Sequence, residues 1–343
     1  MTGRERVRAA MRFSPVDAVP LQYYLPPVGF YEHGEKLNDL FMSLPGDFGP
    51  MARQPVPVLP PSDFDAQGRY HTFQRDEWGT VWERRIFGVA GIACEHPLRD
   101  AGLIADYRFP PRPPIDEPAL ARDRAAAREH QKSHYLVMPG GSLYERMCAL
   151  RPDEDVLCDI ALDEPHIHLL ADRIVEHFAH HVRRAVLLGA DAISFGDDYG
   201  TERSLIVSPA TWRSFFKPRL RALFQPAVDA GLDIIFHSCG AVGEILPDLR
   251  EVGATAIWPQ LPAYDMDKLA KTCRALGLAV AVHTDRARTM SFGTPAEVRA
   301  LAEREYRAFR MDQGGAWFYV EPDNGFPFEN IRALVETIAQ WRG

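Results

Sequence analysis

Apolar residues in this chain gather into short runs separated by longer stretches with helical spacing. Runs at 21–24, 135–138, 192–195, 234–237, 256–258, 278–282 and 317–320 have the length and the β-branched or aromatic content of buried strands. Helical periodicity fills most of the intervals, at 3–12, 163–188, 242–251, 266–276, 295–312 and 328–342, and in a stretch opened by Ser208-Pro-Ala. There Ser208 predicts an N-cap with proline in the first turn, while Asp163 or the turn before it caps the longest helix. Short apolar strands alternating with helices predict a parallel sheet covered by helices. The pattern predicts an α/β fold, a closed (β/α)8 TIM barrel whose eighth strand has no obvious place; a doubly wound sheet is the alternative.

The whole chain, 1–343, reads as one domain. Its first part, 1–130, holds an N-terminal helix, the first strand, loops and a β-hairpin excursion at 76–82 and 86–93; regular β/α units fill 131–343. The segment 29–48 is rich in turn formers and aromatics and reads as a loop long enough to cover a pocket. Proline-dense pieces at 54–61 and 109–114 read as stiff connectors.

In either fold ligands bind at the carboxyl ends of the strands. At those positions this chain places Asp197 and Asp198, His237 and Cys239, Gln260, His283 and Asp285, and Glu321 and Asp323. Alternate residues of a strand face the same way, so His237 and Cys239 leave their strand together. An imidazole and a thiol so placed are half of a zinc site, which needs a third protein ligand. Glu321 is the first choice for it and Asp198 the second, with His283 also in reach. Asp198 faces the pocket as ligand, base or substrate anchor, whereas Asp197 is equally well read as a turn or cap residue. His283 is read as catalytic or structural, and Asp285-Arg286 as an ion pair. Tyr23, Tyr24, Tyr31 and Tyr199 are candidates for an aromatic substrate pocket, with Gln260 and Asp323 as polar contacts. The histidines at 166, 168, 177, 180 and 181 read as a solvated or partly buried helix face. Pro139-Gly-Gly-Ser142 can bring backbone amides to a phosphate but lacks the lysine of a nucleotide loop.

Composition narrows the partners. Net charge is −8, from 47 acidic and 39 basic residues, with no concentrated basic run, which argues against nucleic acid. The start of the chain is charged and helical, and no apolar run approaches a membrane span, so a cytoplasmic protein is expected. Five scattered cysteines do not form a disulfide framework.

Arg4-Glu-Arg-Val-Arg-Ala-Ala-Met11, Asp76-Glu-Trp-Gly-Thr-Val-Trp82, Gly196-Asp-Asp-Tyr-Gly-Thr201, Ser208 to Pro218, His237-Ser-Cys-Gly240, Ile245 to Leu249, Phe292 to Val298 and Phe328 to Leu334 occur in this order. Together they resemble the uroporphyrinogen decarboxylase superfamily, and within it the corrinoid-linked zinc methyltransferase branch. The resemblance implies a single barrel with its site at the strand carboxyl ends. It also implies zinc, and a corrinoid carried by a partner protein. The branch's His-x-Cys motif is here His237 and Cys239; its later cysteine is absent, and Glu321 or Asp323 stands in that region. The implied reaction moves a methyl group between a small substrate and the corrinoid, with Asp198 or His283 orienting the substrate or handling the proton. An aromatic methyl ether is one candidate substrate. A uroporphyrinogen decarboxylase uses an arginine-rich N-terminal segment to hold its polycarboxylate. No arginine lies between Arg12 and Arg53 here, so that activity is the disfavoured alternative. A non-catalytic barrel that binds a small ligand is the third reading.

Overall fold

The fold was described from a computed structural model covering residues 1–342. Its strands are β1 (Leu21–Tyr23), β2 (Thr72–Arg75), β3 (Val81–Arg84), β4 (Ile92–Glu95), β5 (Val137–Gly141), β6 (Ala192–Gly196), β7 (Asp233–Ser238), β8 (Ala256–Pro259), β9 (Ala279–His283) and β10 (Ala316–Val320). Seven of them form one curled parallel sheet in the order β1-β10-β9-β8-β7-β6-β5, and β2-β3-β4 form a separate antiparallel sheet. All seven expected runs are therefore strands of the main sheet, with ends shifted by at most three residues. The expected hairpin is a three-stranded sheet. No helix among the described residues is long and apolar enough to cross a membrane.

The barrel is not fully closed, and no eighth strand is present among the described residues. Between the edges β1 and β5 stands a single residue. The Asp47 N–H donates to Leu21 O at 2.8 Å, and its carbonyl accepts from the Tyr135 N–H at 2.9 Å. Pro45 and Gly46 precede it, residues that do not sustain a strand. The Asp47 carboxylate is 1% exposed and is held by the Leu21 N–H at 2.8 Å, by Arg342 at 2.6 Å and by Arg6.

Inside the sheet, period-2 alternation sends Ile235, Ala256, Ala279, Ala281, Trp317 and Tyr319 into one interior cluster. Small alanines on β8 and β9 leave room for the large rings of β10. Trp317 satisfies its indole N–H on Gln22 at 2.9 Å. Outside, the helices Pro165–Leu188 and Pro209–Asp229 pack apolar faces on the sheet. Ser208 caps the second through the Thr211 N–H at 3.0 Å, as its sequence predicts. Asp163 does not cap the first: it adopts φ 57°, and the cap position is Glu164, without a side-chain bond.

The helix Gly3–Met11 closes the amino end of the barrel. Thr2 and Glu5 form its capping box, and Val7 and Met11 plug the interior. Its arginines meet carboxylates at the strand starts. Arg4 and Arg8 reach Asp191 at 3.0 and 2.7 Å, and Arg12 reaches Asp233 at 2.7 Å. The segment 29–48, expected to be a loop, is mostly the two helices Pro27–His33 and Glu35–Ser43. The first leans on the chain after β10, where Glu32 accepts the Gly325 N–H at 2.9 Å. A Cβ on Gly29 would lie 2.7 Å from Pro322 O, so only glycine permits this approach.

Asp47→Ala is expected to lower stability by about 3–5 kcal/mol, because Arg6 and Arg342 lose a buried counter-ion. Urea unfolding measures it, and an unchanged midpoint would contradict the keystone role of Asp47. A second expectation concerns Glu305, buried in the helix Pro295–Phe309 with only the Thr284 hydroxyl donating to it at 2.8 Å. Burial pushes its carboxyl from 4.5 up to about 8. The folded state then keeps a proton that the unfolded chain releases, so stability falls as pH rises from about 4.5 to about 8, by about 3–5 kcal/mol at most. Glu305→Gln should flatten that slope in unfolding curves taken from pH 5 to 9; parallel profiles would refute it.

Candidate active site

At the carboxyl end of β7 the inward residues are His237 and, just beyond, Cys239. The His237 Nδ1 lies 2.8 Å from the carbonyl of Trp258. A carbonyl only accepts, so Nδ1 carries the proton and the Nε2 lone pair is left free. That Nε2 lies 3.5 Å from Cys239 Sγ and 3.4 Å from Asp198 Oδ1. Asp198 is placed by the Cys239 N–H, which donates to it at 2.8 Å. One donor atom from each of Asp198, His237 and Cys239 thus falls within 4.8 Å of the others.

Two interlocked turns hold this arrangement. Gly240 has φ 73°, and a Cβ on it would sit 2.2 Å from the Gly200 carbonyl carbon. A Cβ on Gly200 would in turn meet Ala241 N at 2.6 Å. The glycines of Gly-Asp-Asp-Tyr-Gly and His-Ser-Cys-Gly therefore let the loops after β6 and β7 touch. Gln260 accepts the Gly240 N–H at 2.9 Å, and the Tyr264 hydroxyl donates to the Gly240 carbonyl at 2.9 Å.

Asp197 faces the other way from Asp198. It accepts the N–H groups of Leu143 and Glu145 at 2.9 and 3.0 Å and the Tyr199 hydroxyl at 3.0 Å. Burial pushes its carboxyl up to about 7 against these bonds. Its role is to tie the chain after β5 to the end of β6.

The sequence candidates sort as follows. His237, Cys239, Gln260 and His283 line one cavity of about 240 Å³, walled also by Trp258, Leu261 and Pro262. His283 lies against Tyr319, ring centroids 5.1 Å apart, and burial first and Arg286 second push its imidazole down to about 3, so it stays neutral. Asp198, not Glu321, stands beside the His-Cys pair. β6 adjoins β7 directly, whereas β10 is separated from β7 by β8 and β9. Glu321 instead lies by Tyr319 and Arg286, and burial raises its carboxyl above the usual range. Tyr199 is a correction. It is 0% exposed, packed against Trp212, Phe216 and Phe236, and cannot reach a ligand. Tyr23 is likewise packing, its hydroxyl on Leu44 O at 3.0 Å, and Tyr31 meets Phe87, in the turn between β3 and β4, edge-on. Tyr24 is 53% exposed at the rim, outside the cavity. Asp285 pairs with no arginine but caps its own turn, accepting from Ala287, Arg288 and Thr289. Arg286 pairs with Asp323 at 2.5 Å. Pro139-Gly-Gly-Ser142 is explained by packing: Cβ atoms on Gly140 and Gly141 would lie 2.4 and 2.3 Å from the rings of Phe195 and Phe178.

Two residues escape sequence reasoning. Trp258 is the inner wall, 4.1 Å from the His237 ring and 4.2 Å from Tyr319. Glu145 opens the helix that follows β5, a strand end for which the polar pattern nominates nothing acidic. Its carboxyl is pushed up to about 7, by desolvation first, then by Asp197 and Asp198. The signal that finds it is positional: a glutamate one turn beyond a strand end. Burial and the Asp198 charge also push the Cys239 thiol up to about 12. Asp198 itself, despite burial, is held below the usual carboxylate range, by His237 when its Nε2 is also protonated and by the Cys239 N–H.

In its overall path the chain is similar to a methyltransferase from Methanosarcina mazei, with a TM-score of 0.65, 16% identity and 99% of each chain covered. Uroporphyrinogen decarboxylases from two strains of Thermus thermophilus are 30% and 29% identical over 124 residues, 36% of this chain and 32% of each relative. The match thus spans about a third of the length of these curated relatives. Residues 151–341, more than half of the chain and including β6 through β10, match the family model of uroporphyrinogen decarboxylase. The chain therefore belongs to the uroporphyrinogen decarboxylase family, with His237, Cys239 and Asp198 inside the matched region.

Proposed function

We propose that this protein is a zinc-dependent methyltransferase of its family, moving a methyl group between a small substrate and a corrinoid carried by a partner protein. The observation that carries the reading is the convergence of Asp198, His237 and Cys239 within 4.8 Å, with His237 and Cys239 lining the cavity. The donor set fits zinc: an imidazole with a pinned tautomer, a thiol and a carboxylate, three protein groups with room for one ligand more. Zinc bound there supplies Lewis acidity at the oxygen from which the methyl group departs. The remaining work belongs to the chain. Trp258 fixes the His237 ring through its carbonyl, and its indole, with Leu261 and Pro262, gives the cavity apolar walls. Such walls suit the flat body of an aromatic methyl ether. His283, held neutral, offers a hydrogen bond that orients the substrate rather than a charge. Asp198 is assigned to the metal, in preference to Glu321.

The decarboxylase reading has the name of the curated relatives in its favour, over a third of their length. Charge at the mouth opposes it. Glu145, Asp198, Glu321 and Asp323 gather there, and Arg286 is the single permanent cation in the cavity wall among the described residues. A polycarboxylate needs several free cations.

Protein purified without chelator is expected to carry one zinc per chain. Cys239→Ser should retain about a tenth of it or less and lose methyl transfer to a reduced corrinoid protein in parallel. Wild-type protein without zinc, or full transfer by the metal-free variant, would end this reading; porphyrinogen decarboxylation would establish the other.

A further inference from the structure

The cavity floored by His237 and Cys239 has one permanent cation in its wall among the described residues, Arg286. Its position is built rather than incidental. Asp285 accepts four hydrogen bonds from the turn that follows, from the N–H groups of Ala287, Arg288 and Thr289 and from the Thr289 hydroxyl, at 3.1–3.2 Å. That turn fixes the backbone of Arg286 at the lip of the cavity. The guanidinium reaches Asp323 at 2.5 Å through Nη2, and its side chain is still 46% exposed. Asp323 is buried and held by the Asn324 N–H at 2.9 Å, so it is a fixed counter-ion. A guanidinium has five donors in a rigid fork, more than one carboxylate can use, and this one lines the cavity with nearly half of its side chain exposed.

We infer that Arg286 reads a single anionic substituent on the substrate, at the end remote from the transferred methyl group. The inference rests on the methyl-transfer reading of the site and names the charge class of its substrate: a monoanion with an apolar body. One partly open cation between acidic neighbours accepts one negative group and rejects several. Asp323 holds the fork in place before the ligand arrives, which lowers the ordering cost of binding.

Calorimetric titration of the zinc-bound protein with 4-methoxybenzoate and with its neutral isostere 4-methoxybenzamide tests this. The wild type should bind the benzoate roughly 10- to 100-fold more tightly, the range for a charge-assisted contact. Arg286→Gln should abolish that preference while leaving benzamide affinity as it was, and Arg286→Lys should keep part of it. Asp323→Asn, which frees the fork, should tighten benzoate binding and thus gives a readout in the opposite direction. Equal affinities in the wild type, no binding of either compound, or a preference that survives Arg286→Gln would overturn the assignment. The two readings fail separately. Charge-selective binding without zinc-dependent transfer would leave the anchor and remove the function; zinc-dependent transfer without charge preference would do the reverse.

Discussion

The backbone of Asp47 is what lets seven strands behave as a barrel. A curled parallel sheet with two free edges leaves unpaired N–H and C=O groups facing each other across the gap. Asp47 spans that gap with one donor and one acceptor, and its carboxylate fastens the first helix through Arg6 and the chain's last described residue, Arg342. One side chain therefore couples three parts of the molecule that are distant in sequence. The curl it maintains brings the end of β10 towards the ends of β7 and β6, and the cavity exists because of that curl.

The two ends of the barrel treat charge in opposite ways. At the amino end every strand-start carboxylate described, Asp191 and Asp233, is neutralised by an arginine of the first helix, and the interior behind it is apolar. At the carboxyl end carboxylates outnumber cations, and burial raises Glu145 and Glu321 above the ordinary range. Buried charge without a partner is costly, so a protein retains it where something binds or reacts. A divalent cation at Asp198, His237 and Cys239 would offset part of that acidity, and metal binding would take the proton from a thiol that is otherwise held at high pKa.

The strands were legible because each is a short apolar run with the right period, and their polar ends marked the correct face of the sheet. The missing eighth strand was not legible, since a one-residue bridge has no period to read. Segment 29–48 misled because a turn former such as Gly34 separates two helices as readily as it builds a loop. Tyr199 misled for a related reason: alternation holds only within a strand, and after Gly196 the chain turns, so Tyr199 folds back onto Trp212 and Phe216. His237 and Cys239 were legible because they stay on the strand's own register.

The choice between Asp198 and Glu321 as third donor shows where sequence spacing ends and topology begins. Both residues follow strand ends and both are acidic, so pattern alone cannot rank them. Sheet order can: neighbouring strands lie about 4.8 Å apart, and Asp198 leaves the strand beside His237 whereas Glu321 leaves one three places away. A hydrogen bond from the Cys239 N–H then fixes the Asp198 carboxylate against the pair. Glu321, freed from that duty, stands with Tyr319, Arg286 and Asp323 beyond the end of β10. Trp258 lies between the two groups, 4.1 Å from the His237 ring and 4.2 Å from the Tyr319 ring.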